Sequence, residues 1–160
     1  MDALTVPLAR PKVVLNVAIC AGFLLIGLWA FSREDYLIAL ASAYFVLPLA
    51  FHISRLLSGR SEALVIDRAG LADYTPNLGV GLIRWSEVED IELRKIGITS
   101  FLNVRVRNGS ALLARLSSLK RFNAWLNSLF GYSPILINLS STYADPQKLI
   151  EKIREARVAL

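Results

Sequence analysis

Two apolar stretches without a Lys, Arg, Asp or Glu stand near the start of the chain, Val13 to Phe31 and Tyr36 to Ile53, with only Ser32-Arg33-Glu34-Asp35 between them. Each is about as long as a helix must be to cross a hydrocarbon core of roughly 30 Å. The pattern predicts a transmembrane helical hairpin over residues 13–57, with helices at about 13–31 and 36–57. The connection is too short for anything but a tight turn, so both ends of the chain are expected on one side of the bilayer. A cleavable signal peptide is the competing explanation, with Ala30-Phe31-Ser32 as the cut site. Its apolar run would be shorter, roughly 7 to 15 residues, and a second apolar stretch would not follow after four polar residues. A hairpin buried in a soluble core would carry a polar stripe, and the first stretch offers only Asn16 and Cys20.

Orientation follows from the basic residues at the helix ends. Arg10 and Lys12 precede the first helix and Arg55 and Arg60 follow the second, whereas the loop has one Arg beside two carboxylates. Segment 1–12 and everything after residue 60 are therefore expected on the cytoplasmic side. Trp29, Phe31 and Tyr36 fall where the hairpin meets the far interface, as amphipathic rings prefer. Pro48 is expected to kink the second helix. Asn16 and Ser42 are placed to hydrogen-bond across the hairpin, with Gly22, Gly27, Ala39, Ala41 and Ala43 allowing close approach. A transport role for Asn16 finds no intramembrane charge to support a relay.

From Arg60 onward the pattern turns to short strands. Ala63 to Asp67 and Leu71 to Tyr74 flank the turn Arg68-Ala69-Gly70, Thr75 to Gly79 reads as a loop, and Val80 to Trp85 precedes Val88 to Lys95 across Ser86-Glu87. Phe101 to Arg107 alternates, with Leu102, Val104 and Val106 on one face and Asn103, Arg105 and Arg107 on the other. Asn108-Gly109 is the preferred type I′ pair, so Ser110 to Leu116 is expected to fold back as a strand. Leu119, Phe122, Trp125, Leu126, Leu129 and Phe130 recur at helical spacing opposite Lys120, Arg121, Asn123 and Asn127, and Pro134 to Leu139 reads as one more strand. Asp145-Pro146 then opens a closing helix with Leu149, Ile150, Ile153, Ala156 and Leu160 on one face.

Composition fits this division. The 160-residue chain is 54% hydrophobic, concentrated in the hairpin, while residues 60–160 have the size of one small domain. That domain carries 14 Lys and Arg against 10 Asp and Glu, an excess of four. Beside an anionic leaflet such an excess gives a weak, salt-sensitive attraction. Nucleic-acid binding lacks a basic run, zinc spacing or helix-turn-helix pattern. The single Cys20 allows no intramolecular disulfide.

Candidate chemistry is sparse. His52 is the only histidine and sits at the end of the second apolar helix, where an interfacial side chain explains it. Gly79-Val80-Gly81 lacks the rest of a nucleotide fingerprint, and no Walker lysine exists. Asp67 with Asp73, or Glu87 with Glu89 and Asp90, offer pairs for acid–base or cation chemistry, but carboxylates around turns commonly just face solvent. No catalytic, cofactor or metal site is assigned.

The order of Ala63-Leu64-Val65-Ile66-Asp67, Gly70-Leu71-Ala72-Asp73, Gly81-Leu82-Ile83-Arg84-Trp85-Ser86-Glu87-Val88, Ile91-Glu92-Leu93 and Phe101-Leu102-Asn103-Val104 behind two membrane helices resembles a bacterial family of small membrane proteins. Those proteins join an N-terminal two-helix hairpin to a cytoplasmic pleckstrin-homology-like (PH-like) domain. The resemblance covers nearly the whole chain. It implies a membrane-anchored α+β protein: a bent antiparallel sheet or partly open barrel of about seven strands, capped by a C-terminal helix, in the bacterial inner membrane. This fold hosts many binding functions and little catalysis. Phosphoinositide-binding members of the wider class place several basic residues around the first hairpin, whereas Arg68 stands alone here. Trp85 is expected in the core rather than against a ligand.

The leading expectation is a non-enzymatic adaptor that presents the domain at the inner leaflet to a protein segment or to anionic headgroups. Arg105, Arg107 and Arg115 form a basic face if the Asn108-Gly109 hairpin presents them together; otherwise they are a solvated face. A separate expectation lays Ser117 to Phe130 in the membrane interface, Phe122 and Trp125 down and Lys120 and Arg121 near phosphate. Its competitor is a helix packed on the domain's own sheet. A structural subunit of a larger membrane complex is the remaining alternative, ahead of an enzyme using Asp or Glu chemistry.

Overall fold

The computed structural model describes residues 3–76 and 79–158. The chain divides into two compact units, residues 9–60 and residues 1–8 with 61–160. Together they make an α+β protein whose helical unit interrupts the mixed one.

The helical unit is a hairpin of α1 (Arg10–Ser32) against α2 (Tyr36–Ala43) and α3 (Val46–Leu57). α1 and the segment Tyr36–Leu57 that joins α2 and α3 are both long and apolar enough to cross a membrane. Glu34 adopts a positive φ of 65° in the turn. Asp35 then caps α2 by accepting the Ile38 N–H at 3.3 Å. The helices approach closely at Gly27, where a Cβ would stand 2.5 Å from that of Ser42. Gly22, by contrast, faces open space. Ser42 does not reach Asn16; its hydroxyl donates to the Ile38 carbonyl of its own helix at 2.9 Å. The break between α2 and α3 falls at Tyr44–Phe45, and the cause is Pro48. Its ring has no N–H for the Tyr44 carbonyl and collides with it, so the chain tightens one turn upstream. The Tyr44 and Phe45 N–H groups bond three residues back, to Ala41 and Ser42. Phe45, at the break, stacks on Phe23 of α1 with centroids 4.2 Å apart.

Among the described residues the mixed unit holds seven strands in two antiparallel sheets. The first has the order β1 (Leu4–Pro7), β2 (Glu62–Ile66), β3 (Gly70–Asp73), β4 (Gly81–Arg84). The second is β5 (Val88–Ile96), β6 (Thr99–Val106), β7 (Ile135–Asn138). Between β6 and β7 come α4 (Gly109–Ala114) and α5 (Ser118–Leu129), and α6 (Pro146–Val158) closes the chain. Alternation along the strands sends Leu64, Ile66, Leu71, Ile83, Leu102, Val104, Ile135 and Ile137 into one core, which Leu149, Ile150, Ile153 and Ala156 of α6 complete. Leu160 and the Asn77–Leu78 part of the expected loop lie outside the described residues.

Two features differ from the sequence expectations. The segment ahead of the hairpin is not a simple tail: Leu4–Pro7 pairs antiparallel with Glu62–Ile66, and the Leu8 N–H bonds the Ser61 carbonyl at 2.7 Å. The mixed unit therefore begins before the hairpin, and the expected 60–160 boundary omits one strand. Asn108-Gly109 does not make a β-turn. Asn108 accepts the Ala111 N–H at 3.1 Å and caps α4, so Ser110 to Leu116 is helix and turn rather than a strand. Asn is as good an N-cap as a turn residue, and here the apolar pair Leu112 and Leu116, buried at helical spacing, decides between them. On the opposite face of β6, Asn103 is buried while Arg105 is exposed, and the Asn103 side-chain oxygen accepts the Ser133 N–H at 2.9 Å.

Candidate functional site

The site of interest is built on α5 and the loops that hold it. Its C-terminus closes through Gly131 at φ 79°, with Gly131 N–H on the Ser128 carbonyl and Tyr132 N–H on that of Asn127. This is the paired bonding by which a left-handed glycine satisfies the last carbonyls of a helix. The inner face is small and polar: Ala124 is fully buried, and the Asn127 amide donates to the Pro134 carbonyl at 3.1 Å. At the other end the Lys120 ammonium donates to the Gly79 carbonyl at 2.7 Å, tying the helix to the β3–β4 loop.

The large apolar side chains point away from this inner face. Exposure is 46% at Leu119, 49% at Phe122, 55% at Trp125, 64% at Leu129 and 73% at Phe130. The Phe122 and Trp125 rings stack on each other, centroids 5.7 Å apart. The helix does lie on its own domain, but through Ala124 of the shared core and not through these rings, which stay exposed. Spacing alone showed that one face was apolar; the missed signal was the short Ala124 and Asn127 on the other side, small enough to lie against the domain.

The basic candidates are distributed rather than gathered. Arg105 on β6 pairs with Glu92 at 3.4 Å, a carboxylate that Arg94 also holds at 2.7 Å. Arg115, at the end of α4, pairs with Glu87 at 2.8 Å. Arg107 follows β6, its N–H on the Glu87 carbonyl. Arg121 reaches the Ser118 hydroxyl at 3.3 Å. The hairpin expected to present Arg105, Arg107 and Arg115 together is absent, and Arg105 and Arg115 answer separate carboxylates. Arg115, Lys120 and Arg121 do belong to the one α4–α5 segment.

The acidic candidates are spent on local structure. Asp67 accepts the Ala69 and Gly70 N–H groups and shapes the β2–β3 turn, in which a Cβ at Gly70 would collide with the Ile83 carbonyl. Asp73 is wholly buried and accepts from the Thr75 N–H at 2.9 Å, the Thr75 hydroxyl at 2.7 Å and the Val80 N–H at 3.3 Å. Burial pushes its carboxyl up, against those hydrogen bonds and the nearby Lys120 charge. Glu87 takes the Arg84 N–H at 3.0 Å, and that bond foremost, with Arg115, holds its carboxyl below the usual range. Asp90 accepts the N–H of Ile91. Among the described residues no three His, Cys, Asp or Glu side chains are grouped to hold a metal. Trp85 lies in a turn after β4, nearly buried, with its indole N–H on the Asp67 carbonyl at 2.8 Å. A shallow depression of about 200 Å³ between β1 and α6 is lined by Leu4, Val6 and Leu149 with Lys148 and Lys152.

Comparison with protein-family models, with curated proteins and with solved structures returns no match. Function is therefore argued from geometry.

Proposed function

We propose that this is a non-enzymatic integral membrane protein of the bacterial inner membrane, presenting a PH-like binding domain at the cytoplasmic face. The observation that carries the reading is the pair of membrane-length helices set between two hydrogen-bonded strands. The chain leaves the mixed unit after Leu8 and re-enters it at Ser61, and those two residues are bonded to each other. An anchor attached in this way joins its domain by two chain connections at one end of one strand pair, which limits the domain's freedom more than a single linker would. Four strands, then three, then a closing helix support the PH-like reading. The carboxylates committed to turns and ion pairs favour binding over catalysis. The ligand class on this reading is a protein segment or anionic headgroups.

The test is extraction and topology. With Cys20 replaced by Ala, single cysteines are placed at Glu34 in the α1–α2 turn and at Glu151 on the exposed side of α6. The chain is expected to stay in alkali-washed membranes. A membrane-impermeant thiol reagent applied from outside should label position 34 and spare position 151. Release by alkali would overturn the anchor, and reversed labelling the orientation.

A further inference from the structure

We infer that the outer face of α5 is a second membrane contact, docking Leu119, Phe122, Trp125, Leu129 and Phe130 into the headgroup boundary of the anionic leaflet that the hairpin crosses. The inference rests on the proposed anchoring and names the ligand of the domain: a lipid surface, not a soluble headgroup. Two observations carry it. First, five large apolar side chains stand about half or more exposed along one helix, with two aromatic rings stacked at their centre. Such a contiguous patch on a small domain marks an interaction surface. Second, α5 carries two basic residues, Lys120 and Arg121, and no Asp or Glu; of the seven Lys and Arg in the acid-free span Leu93 to Ala144, Arg94, Arg105 and Arg115 are paired with Glu92 and Glu87 outside it. The helix that bears the apolar ridge therefore carries positive charge and no negative charge of its own.

That combination selects among occupants. A second copy of this chain would bring like charge against like charge across the ridge, which disfavours self-association there. A bilayer with anionic lipid offers an apolar phase for the rings and phosphates for the basic side chains at matching depth. The hairpin would also hold the domain beside that bilayer, so a contact too weak to bind from solution is populated by effective concentration. The Lys120 bond to Gly79 and the glycine-closed C-terminus fix the helix on its domain, so the face is presented in folded form.

The test uses the full chain in bilayers of three parts zwitterionic to one part anionic phospholipid, with and without bromine on the acyl chains. Bromine quenches a tryptophan only when the ring lies in the lipid. Single-tryptophan contributions are read by comparison with Trp29→Phe and Trp125→Phe, and Trp85, inside the domain, serves as the protected reference. Quenching of both Trp29 and Trp125 is expected, at least twofold for Trp125. Phe122→Ser with Phe130→Ser, both on the exposed face, should reduce the Trp125 effect by half or more and leave Trp29 unchanged. Quenching of Trp29 without Trp125 overturns the docking and leaves the anchor standing. If Trp125 is then also shielded from aqueous iodide, protein rather than lipid covers the face. Quenching of neither overturns both readings.

Discussion

At the scale of single residues, two carboxylates illustrate how one side-chain type serves opposite electrostatic ends. Asp73 is buried, and its three accepted hydrogen bonds and the Lys120 charge do not fully offset the cost of holding a charge away from water. In Asp73→Asn the amide nitrogen would face the Val80 N–H, donor against donor. A loss of about 1 to 3 kcal/mol is expected for the group left unsatisfied, read as a lower chemical-denaturation midpoint. Glu87 has the reverse sign. Its carboxyl is held below its ordinary value by Arg84 N–H and Arg115, so the folded state binds its proton less readily than the unfolded one. The stabilisation is present above the ordinary Glu range and fades as pH falls through the depressed value. The difference in melting temperature between wild type and Glu87→Gln should therefore be seen at neutral pH and shrink on acidification below about 4.3, the reference value for Glu. A difference that grew instead would assign Glu87 another role.

At the scale of elements, α4 and α5 show what periodicity alone leaves open. Asn108-Gly109 satisfies a hairpin turn and a helix start equally well, and the tie breaks on whether Leu112 and Leu116 can be buried. Replacing Asn108 by Ala removes a cap and should cost about 0.5 to 2 kcal/mol, whereas Asp, an equally good cap, should cost little, both read as shifts in the chemical-denaturation midpoint. In α5 the burial pattern inverts the usual expectation. Phe122→Ser should leave thermal stability within about 0.5 kcal/mol, as for other exposed positions, whereas Ala124→Leu should cost about 1 to 3 kcal/mol by overpacking a filled site. The opposite ranking would return the aromatic face to the core. In the hairpin, Gly27→Leu should force α1 and α2 apart, since even a methyl meets Ser42. Gly22→Leu, facing open space, should not. Cross-linking yields between cysteines on the two helices would separate these outcomes.

At the scale of the whole molecule, the consequence to test is the interrupted domain. Leu8 and Ser61 are joined as the neighbours of a tight turn, so a chain with residues 9–60 replaced by Asn-Gly, the pair that suits a two-residue connection, should be soluble and unfold cooperatively. A fragment starting at residue 60 lacks β1 and with it the buried Val6 and Leu8. Each such side chain contributes about 1.5 to 3 kcal/mol on burial, so the fragment should melt well below the joined chain in a circular-dichroism scan. Equal midpoints would show that β1 adds nothing. Legible in the residue order were the two helices long and apolar enough for a membrane, most strands of the mixed unit and the closing helix. Each of these is a local period of apolar residues or a local cap, and local periods are written in neighbouring positions. Tertiary structure alone decided that Leu4–Pro7 is a strand, because its partner lies more than fifty residues away. It also decided that Asn108 starts a helix and that α5 turns its rings outward. In all three cases the local pattern permits two arrangements of nearly equal free energy, and the choice rests on which surface the rest of the chain is able to cover.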